Sequence, residues 1–264
     1  MSSPSTQQGR PEVESAWYVY GIVEADVEVL PEARGVGDPP ASVELVRSGD
    51  VAALVSEIKR DQPLGRPDDL LAHQGLLDAA AADAAVLPMR FGAVVGSRDA
   101  VVQELLTAHH DQLVDALRAV AGHVQYVVRS RYVEDTLMRE VLDENPTAAE
   151  LAGQLHGQPS EATRDLQLQL GEIVNDAVEA KRSADTESII RALEPVSAAT
   201  AIRAPTHEQD AAHVALLVQT SRKGELDDTV NRLARDWEGR ATLRVLGPMA
   251  PFDFIVTTEQ GPGG

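Results

Sequence analysis

Between residues 124 and 246 the chain switches repeatedly between two apolar rhythms, and the order of the switches leaves little topological choice. Residues 124–132 (VQYVVRSRY), 196–202 (VSAATAI), 213–219 (HVALLVQ) and 241–246 (ATLRVL) have the β-branched, aromatic and alternating content of strands. A polar helical stretch separates the first two. A second helix separates the last two, capped by Ser221 and carrying Leu226, Val230, Leu233 and Trp237 on one side. Strand, helix, strand, strand, helix, strand is the split βαβ order, which makes its first and third strands the inner pair. Those two are the most apolar here, and 213–219 is nearly continuous, as a strand buried on both faces would be. A ferredoxin-like (βαββαβ) domain over 123–256 is the expectation.

The first half has another rhythm, strands before helices. Ala16–Val23 (AWYVYGIV) reads as a strand. Residues 31–41 (PEARGVGDPPA) read as loop, and 43–58 as a hairpin turning at Ser48-Gly49-Asp50. A helix starts near Pro67, with Asp68 and Asp69 at its positive end and an apolar stripe of Leu70, His73, Leu77, Ala80 and Ala84. After Val86–Val95, Ser97 caps a second helix with Val102, Leu106, His109, Leu113 and Leu117. The fold class is therefore α+β with two domains: a small sheet with helices over 16–122, then the ferredoxin-like one. Residues 1–15 and 257–264 read as disordered ends.

Charge excludes whole classes of partner. Net charge is −19, and residues 134–194 hold 14 acidic against 5 basic side chains. Affinity for nucleic acid comes largely from Lys and Arg displacing counterions, so neither nucleic acid nor an anionic membrane is an expected partner. Within that stretch Leu166, Leu170, Ile173, Ala177, Ala180 and Ala184 give the long helix one apolar face. No cysteine is present, which removes disulfides, thiolate chemistry and Cys-based zinc or iron–sulfur sites. A polar N-terminus and the lack of a run of about 18 apolar residues point to a cytoplasmic protein.

Catalytic patterns fail on their own geometry. Gly35-Val36-Gly37 lacks the third glycine and the helix of a dinucleotide loop. Ser56 and Lys59 match SxxK but end a strand, where they face opposite sides. His109 and His110 diverge by about 100° on a helix and cannot easily share a metal. His207 and His213 straddle a loop-to-strand change. Acidic pairs such as Glu134-Asp135 and Asp227-Asp228 lie in polar stretches with nothing to desolvate them. His73 sits in its helix's apolar stripe, as a buried histidine satisfied by hydrogen bonds would. Neither an enzyme nor a cofactor is expected. What composition leaves unexplained is Val86–Val95, where Arg90 interrupts an apolar run beside Phe91, and Gly247–Val256. There two prolines hold the chain extended and Phe252, Phe254 and Val256 alternate to one side.

At these segments the sequence resembles the gas vesicle protein GvpL/GvpF family. Four blocks spread over nearly the whole chain carry the likeness. They are Trp17–Val23; His73 followed by Val86-Leu87-Pro88-Met89-Arg90-Phe91-Gly92; the acidic helical middle; and Trp237-Glu238-Gly239-Arg240 with Gly247-Pro248-Met249-Ala250-Pro251-Phe252-Asp253-Phe254. The family has Gly-Pro-Trp-Pro-Pro-Tyr-Ser-Phe in the last block. This chain keeps Gly247, Pro248, Pro251 and Phe254 and differs at Met249, Ala250, Phe252 and Asp253. The family's Tyr-Leu block early in the long helix is not evident around 160–170. The chain is thus identified as a divergent member.

The resemblance implies a two-domain α+β fold and a role in assembling gas vesicles, with the protein cytoplasmic and vesicle-associated. The implied partners are the small hydrophobic shell protein GvpA and other accessory proteins, without catalysis or cofactor. His73, Arg90, Phe91, Trp237, Pro248, Phe252 and Phe254 are the expected contact or structural positions. The leading expectation is an assembly factor whose edge strand, 196–202 or 241–246, pairs with an incoming chain. The alternative is a small-molecule-sensing module of ferredoxin-like fold, which a thermal-shift screen would reveal. An enzyme centred on His73 would require a polar pocket around that helix.

Overall fold

The computed structural model describes residues 15–156, 158 and 163–255. Of the expected disordered ends, 1–14 and 257–264 lie outside the described residues, as does Val256; Ser15 instead opens the first strand. The chain forms two compact units, one of residues up to Gly122 together with those from Met249 on, the other His123–Pro248. The segment after Pro248, expected in the C-terminal domain, therefore clusters with the first unit. Its residues supply that unit's core: Ala250 is fully buried, and its N–H donates to Asp78 at 2.8 Å.

The first unit is a sheet ordered β2 (Glu44–Ser48), β3 (Val51–Lys59), β1 (Ser15–Glu24), β4 (Val86–Pro88), with β5 (Val94–Val95) also on β1. Strand β1 runs antiparallel to β3, β4 and β5, and β2 runs antiparallel to β3. The expected hairpin turns at Gly49-Asp50, between the paired Ser48 and Val51. One face packs under α1 (Pro67–Asp83), where Tyr18, Tyr20 and Leu54 meet Leu77 and Ala81. The other packs under α2 (Arg98–Ala100), a π-helical turn (Val101–Thr107) and α3 (His110–Val120) through Val19, Val55, Leu106 and Leu117. With helices on both sides, β1 must be apolar on both faces, and so it is. Each large side chain so buried contributes about 1.5–3 kcal/mol.

Two helix faces differ from their expected stripes. In α1 the buried row is Asp69, His73, Leu77 and Ala81, while Leu70 is exposed and Ala84 is the C-cap. A carboxylate takes the core position because three backbone N–H groups converge on it. The second helix keeps its Ser97 cap, but the π turn adds residues per turn and rotates the following face. Val101 is buried instead of Val102, and His109 is exposed at a non-helical junction.

The second unit is a sheet ordered β7 (Ala199–Ile202), β8 (Asp210–Gln219), β6 (His123–Tyr132), β9 (Ala241–Met249). Strands β6 and β7 each run antiparallel to β8, so they are parallel to each other with β8 between. Helices α4 (Glu134–Glu144), α5 (Pro146–Leu155), α6 (Arg164–Leu193) and α7 (Lys223–Asp236) complete it. Leu137, Val141, Ile189, Leu193, Leu226, Val230 and Trp237 from these helices meet Val124, Tyr126, Val128, Val214 and Leu216 in one core.

Three expectations shift here. Strand 196–202 shortens to β7, because Glu194–Val196 form a 3₁₀ turn. Ser221 does not cap α7; it lies inside a 3₁₀ turn (Thr220–Arg222), and Arg222 holds the N-cap position with no side-chain capping bond, its guanidinium bonding Glu225 instead. Ala180 and Ala184 of α6 are exposed, and the helix's fully buried positions are Thr186, Ile189 and Leu193. Among the described residues no helix is long and apolar enough to cross a membrane.

Candidate functional site

Three places collect the side chains singled out from the sequence. The first lies where the strand 86–95 leaves β1. Leu87 and Val94 pair with β1, but Arg90–Gly92 turn outward between them. Met89 N–H donates to Tyr20 O at 2.8 Å and Val19 N–H to Ala93 O at 2.9 Å, so pairing resumes on either side. Gly92 has φ +89°, a left-handed conformation that other residues resist.

Two backbone groups of the excursion, Met89 O and Gly92 N–H, are met by side chains, and Arg90 O accepts from Ala93 N–H at 3.2 Å. His73 Nε2 lies 3.1 Å from Met89 O, and its Nδ1 lies 2.9 Å from the Tyr18 hydroxyl. Gly92 N–H donates to that hydroxyl at 3.1 Å. These partners assign the tautomer: Nε2–H donates to the carbonyl, Nδ1 accepts from Tyr18, and Tyr18 accepts from Gly92. The ring stacks edge-on to Phe91 (5.6 Å) and Tyr18 (5.7 Å), with Tyr20 at 5.8 Å and Phe252 at 6.3 Å. Burial holds His73 below its ordinary pKa and pushes Tyr18 up to about 12. Beside them Tyr20 donates to Ser56 Oγ (2.9 Å) and accepts from Val36 N–H (2.9 Å), and Ser56 donates to Ser42 O (2.8 Å). Asp69 accepts N–H groups of Gly37 (2.8 Å), Arg66 (3.0 Å) and Gly65 (3.1 Å).

This nest brings together His73, Phe91 and Phe252. Both histidine nitrogens are occupied and the ring is buried, so no lone pair is offered to a substrate. Arg90 stands exposed at the turn. Phe252 and Phe254 do not alternate along an extended chain as expected. Phe252 N–H bonds Ala250 O (2.8 Å) and Phe254 N–H bonds Pro251 O (3.1 Å), so the segment folds into tight turns. Tyr18→Phe is expected to cost the first unit about 1–3 kcal/mol, since His73 Nδ1 and Gly92 N–H both lose their partner. The pH dependence has a definite sign. His73 is depressed from 6.5, so the unfolded chain takes up a proton that the folded one refuses. Stability is full above 6.5 and is lost as pH falls from there through the folded value. Denaturant titrations at several pH values should show that slope in the wild type and not in His73→Leu.

The second place holds Trp237. Arg240 Nη1 and Nη2 grip Asp185 at 3.0 and 2.7 Å, and its Nε bonds Glu140 at 2.9 Å. Its guanidinium lies 5.2 Å from the Trp237 ring and 5.7 Å from Tyr132, whose hydroxyl donates to Asp185 at 2.5 Å. Trp237 is buried at the end of α7 and forms a platform under the Arg240 guanidinium, which in turn bonds Glu140 of α4 and Asp185 of α6. Pro248 is exposed near the end of β9, after a cis Gly247–Pro248 bond.

The third place is the sheet edge at β7. Arg203 N–H donates to His213 O at 2.8 Å, and Ala201 and Ala199 continue that phase opposite Ala215 and Leu217. In an antiparallel pair alternate residues point their backbone groups to the partner. The N–H and C=O groups of Thr200 and Ile202 therefore face outward, with no strand beyond them among the described residues. Ile202 is 68 % exposed and borders a cavity of about 280 Å³ that also touches Thr186, Pro205 and Ala212. The loop from β7 to β8 is pinned by Asp210. That carboxylate accepts Thr206 N–H (2.8 Å), His207 N–H (2.9 Å) and both arms of Arg129 (3.0 and 2.9 Å). Sequence reading passed over Asp210, Asp69, Tyr18 and Tyr20 as site residues. For the two acids the one available signal was a carboxylate at a strand or helix start, which is common on any surface; Tyr18 and Tyr20 lie in the block Trp17–Val23 that carries the family likeness.

The family model described as gas vesicle synthesis protein GvpL/GvpF matches residues 16–256. A gas vesicle protein F from Streptomyces sp. (strain CB03234) is 35 % identical over 242 residues, covering 90 % of this chain and 98 % of that one. The crystal structure of GvpF from Anabaena sp. PCC7120 superposes with a TM-score of 0.71 at 20 % identity, covering 91 % and 95 % of the two chains. That of GvpF from Microcystis aeruginosa gives 0.73 at 17 %, covering 90 % and 98 %.

Proposed function

The chain belongs to the GvpL/GvpF family of gas vesicle synthesis proteins, and on that premise we propose that it is an assembly accessory or minor structural protein acting through strand pairing. Its target is the small hydrophobic shell protein GvpA, met in the cytoplasm together with other accessory proteins. The observation that supports this is the bare outer edge of β7. Thr200 and Ile202 offer four outward backbone groups, each worth about 1 kcal/mol net when paired, next to an exposed isoleucine. The other edge, β9, carries Pro248 and Arg244, features that discourage pairing. Strand β7 has neither. The strand order, with β8 between the parallel β6 and β7, supports reading this unit as ferredoxin-like. A hydrophobic shell subunit aggregates through unpaired strands, so capping one of them keeps it soluble.

Co-expression with the shell protein tests the reading. The wild type is expected to raise the soluble fraction and to co-purify with it. Thr200→Pro removes an outward N–H, and Ile202→Lys charges the edge; each is expected to cut recovery about tenfold or more. Thr242→Lys on β9 leaves it unchanged. Full recovery with both β7 variants would reject edge pairing.

A further inference from the structure

We propose that a groove walled by α4 and α6 binds an amphipathic helix bearing a basic flank, presented by a partner protein. Its identity as a vesicle component rests on the assembly reading; the groove itself does not. The groove encloses about 930 Å³ and is closed at one side by the 205–209 loop. Its floor is apolar: Leu137 of α4 faces Val174 and Val178 of α6, and Gly171 opens its far end. Val174 and Val178 are one helical turn apart, beside the row of Ile173 and Ala177; they pack against the core on one side and are only half-buried, which leaves part of each valine facing the groove. None of the residues Arg164–Asp185 of α6 is fully buried, in contrast to Thr186, Ile189 and Leu193 further along.

Two features define the occupant. The walls are helices, whose backbone groups are internally bonded, and the loop's Thr206 and His207 N–H groups are already taken by Asp210. An extended peptide would find no edge to pair with here and would bury unsatisfied N–H and C=O groups. A helix brings its own bonds and sets a ridge of side chains at i, i+3, i+4 and i+7 into the row. Charge selects the flank. Among the described lining residues Glu179 is paired with the one guanidinium, Arg182, so the net negative charge of the rim comes from Glu134, which also accepts from Gln209 at 2.8 Å, and Glu208. Arg182 is committed to Glu179, to Asp210 O (2.7 Å) and to Glu208 O (2.8 Å). Glu172 and Asp176 extend the acidic field beyond Gly171. Complementary Lys or Arg on the incoming helix would meet little competing positive charge.

The probe is a fluorescein-labelled peptide of about 18 residues, leucine and alanine on one helical face and lysine on the other, titrated with the full chain and read by anisotropy. Binding is expected with Kd on the order of 10 μM, weakening as salt is raised. Glu134→Lys with Glu208→Lys, both exposed, is expected to weaken it about tenfold or more. Asp111→Lys with Asp115→Lys makes the same charge change in the other unit and should leave binding unchanged. Val178→Ser should weaken binding without altering the salt slope. A peptide with glutamate replacing lysine should not bind. Equal loss in the two charge-reversal pairs would mean diffuse attraction only and overturn the groove, as would no binding at all. Neither outcome touches the β7 experiment, which reads shell-protein recovery.

Discussion

Asp210→Ala is expected to destabilise the second unit by about 3–5 kcal/mol, the largest effect of any single side-chain removal considered. Asp210 is fully buried, yet it is charged because its surroundings are built for a carboxylate. Arg129 grips both oxygens, Arg131 stands 3.5 Å away, and the N–H groups of Thr206 and His207 converge on one of them. Removing it strands a part-buried guanidinium and at least two N–H groups, each costing about 1–3 kcal/mol. The loop that carries β7 into β8 would then be free to move. Burial itself works against the charged form, but the Thr206 and Arg129 bonds outweigh it and hold the carboxyl at about 2, against an ordinary 3.8. A depressed acid contributes stability that is complete above 3.8 and is lost as pH falls through about 2. That contribution is about 2–3 kcal/mol. In a Trp17→Phe background, Trp237 fluorescence reports this unit alone, so urea titrations can follow it. The variant should lose the steep acid limb between pH 4 and 2 that the parent shows. An unchanged urea midpoint, or an acid limb that survives, would sink the assignment.

Gly35→Ala is expected to cost the first unit about 3–5 kcal/mol without touching any charge. A Cβ at position 35 would lie 1.8 Å from the Tyr20 hydroxyl and 2.7 Å from Ser56 Oγ. Tyr20 cannot retreat. It is fully buried between β1 and α1, and its hydroxyl is fixed by Ser56 and Val36 N–H. The methyl group therefore breaks two hydrogen bonds and overpacks a dense core. The double variant Gly35→Ala with Tyr20→Phe provides the check. Deleting the hydroxyl removes the closest contact, at 1.8 Å, and leaves the ring carbon Cζ and Ser56 Oγ at 2.7 Å each, so the double should be more stable than the sum of the two single losses without regaining full stability. Strict additivity would mean the clash is not with Tyr20. Trp17 fluorescence, in a Trp237→Phe background, follows this unit.

How much of this was legible beforehand depended on the range of the forces involved. The hairpin at Gly49-Asp50, the start of α1 at Pro67, the Ser97 cap and the inner positions of β6 and β8 follow from short-range rules: turn chemistry, capping and apolar content. The family likeness was equally readable, because it rests on residue identities in order. The stripe of α1 was misjudged by one position, since nothing local says that Gly37, Gly65 and Arg66 will aim N–H groups at Asp69. The second helix was expected to be uninterrupted, because a π turn leaves no mark in a three–four spacing.

The candidate site divides the same way. His73 was visible as a polar residue in an apolar row, and Phe91 and Phe252 as scarce aromatics. Their convergence was not visible, because Phe91 and Phe252 lie 161 positions apart in the chain. What the sequence by itself determined was the order of the main strands and helical stretches, though not the division of 134–193 into three helices, together with the acidic character of the helical middle and the family. Each follows from interactions within a few residues, or from composition alone. Only the tertiary structure decided that the tail after Pro248 joins the first unit, that Trp237 is a buried platform, and that β7 presents an open edge. Those outcomes depend on which distant backbone groups find partners, and a hydrogen bond between residues far apart in the chain leaves no periodic trace in either segment.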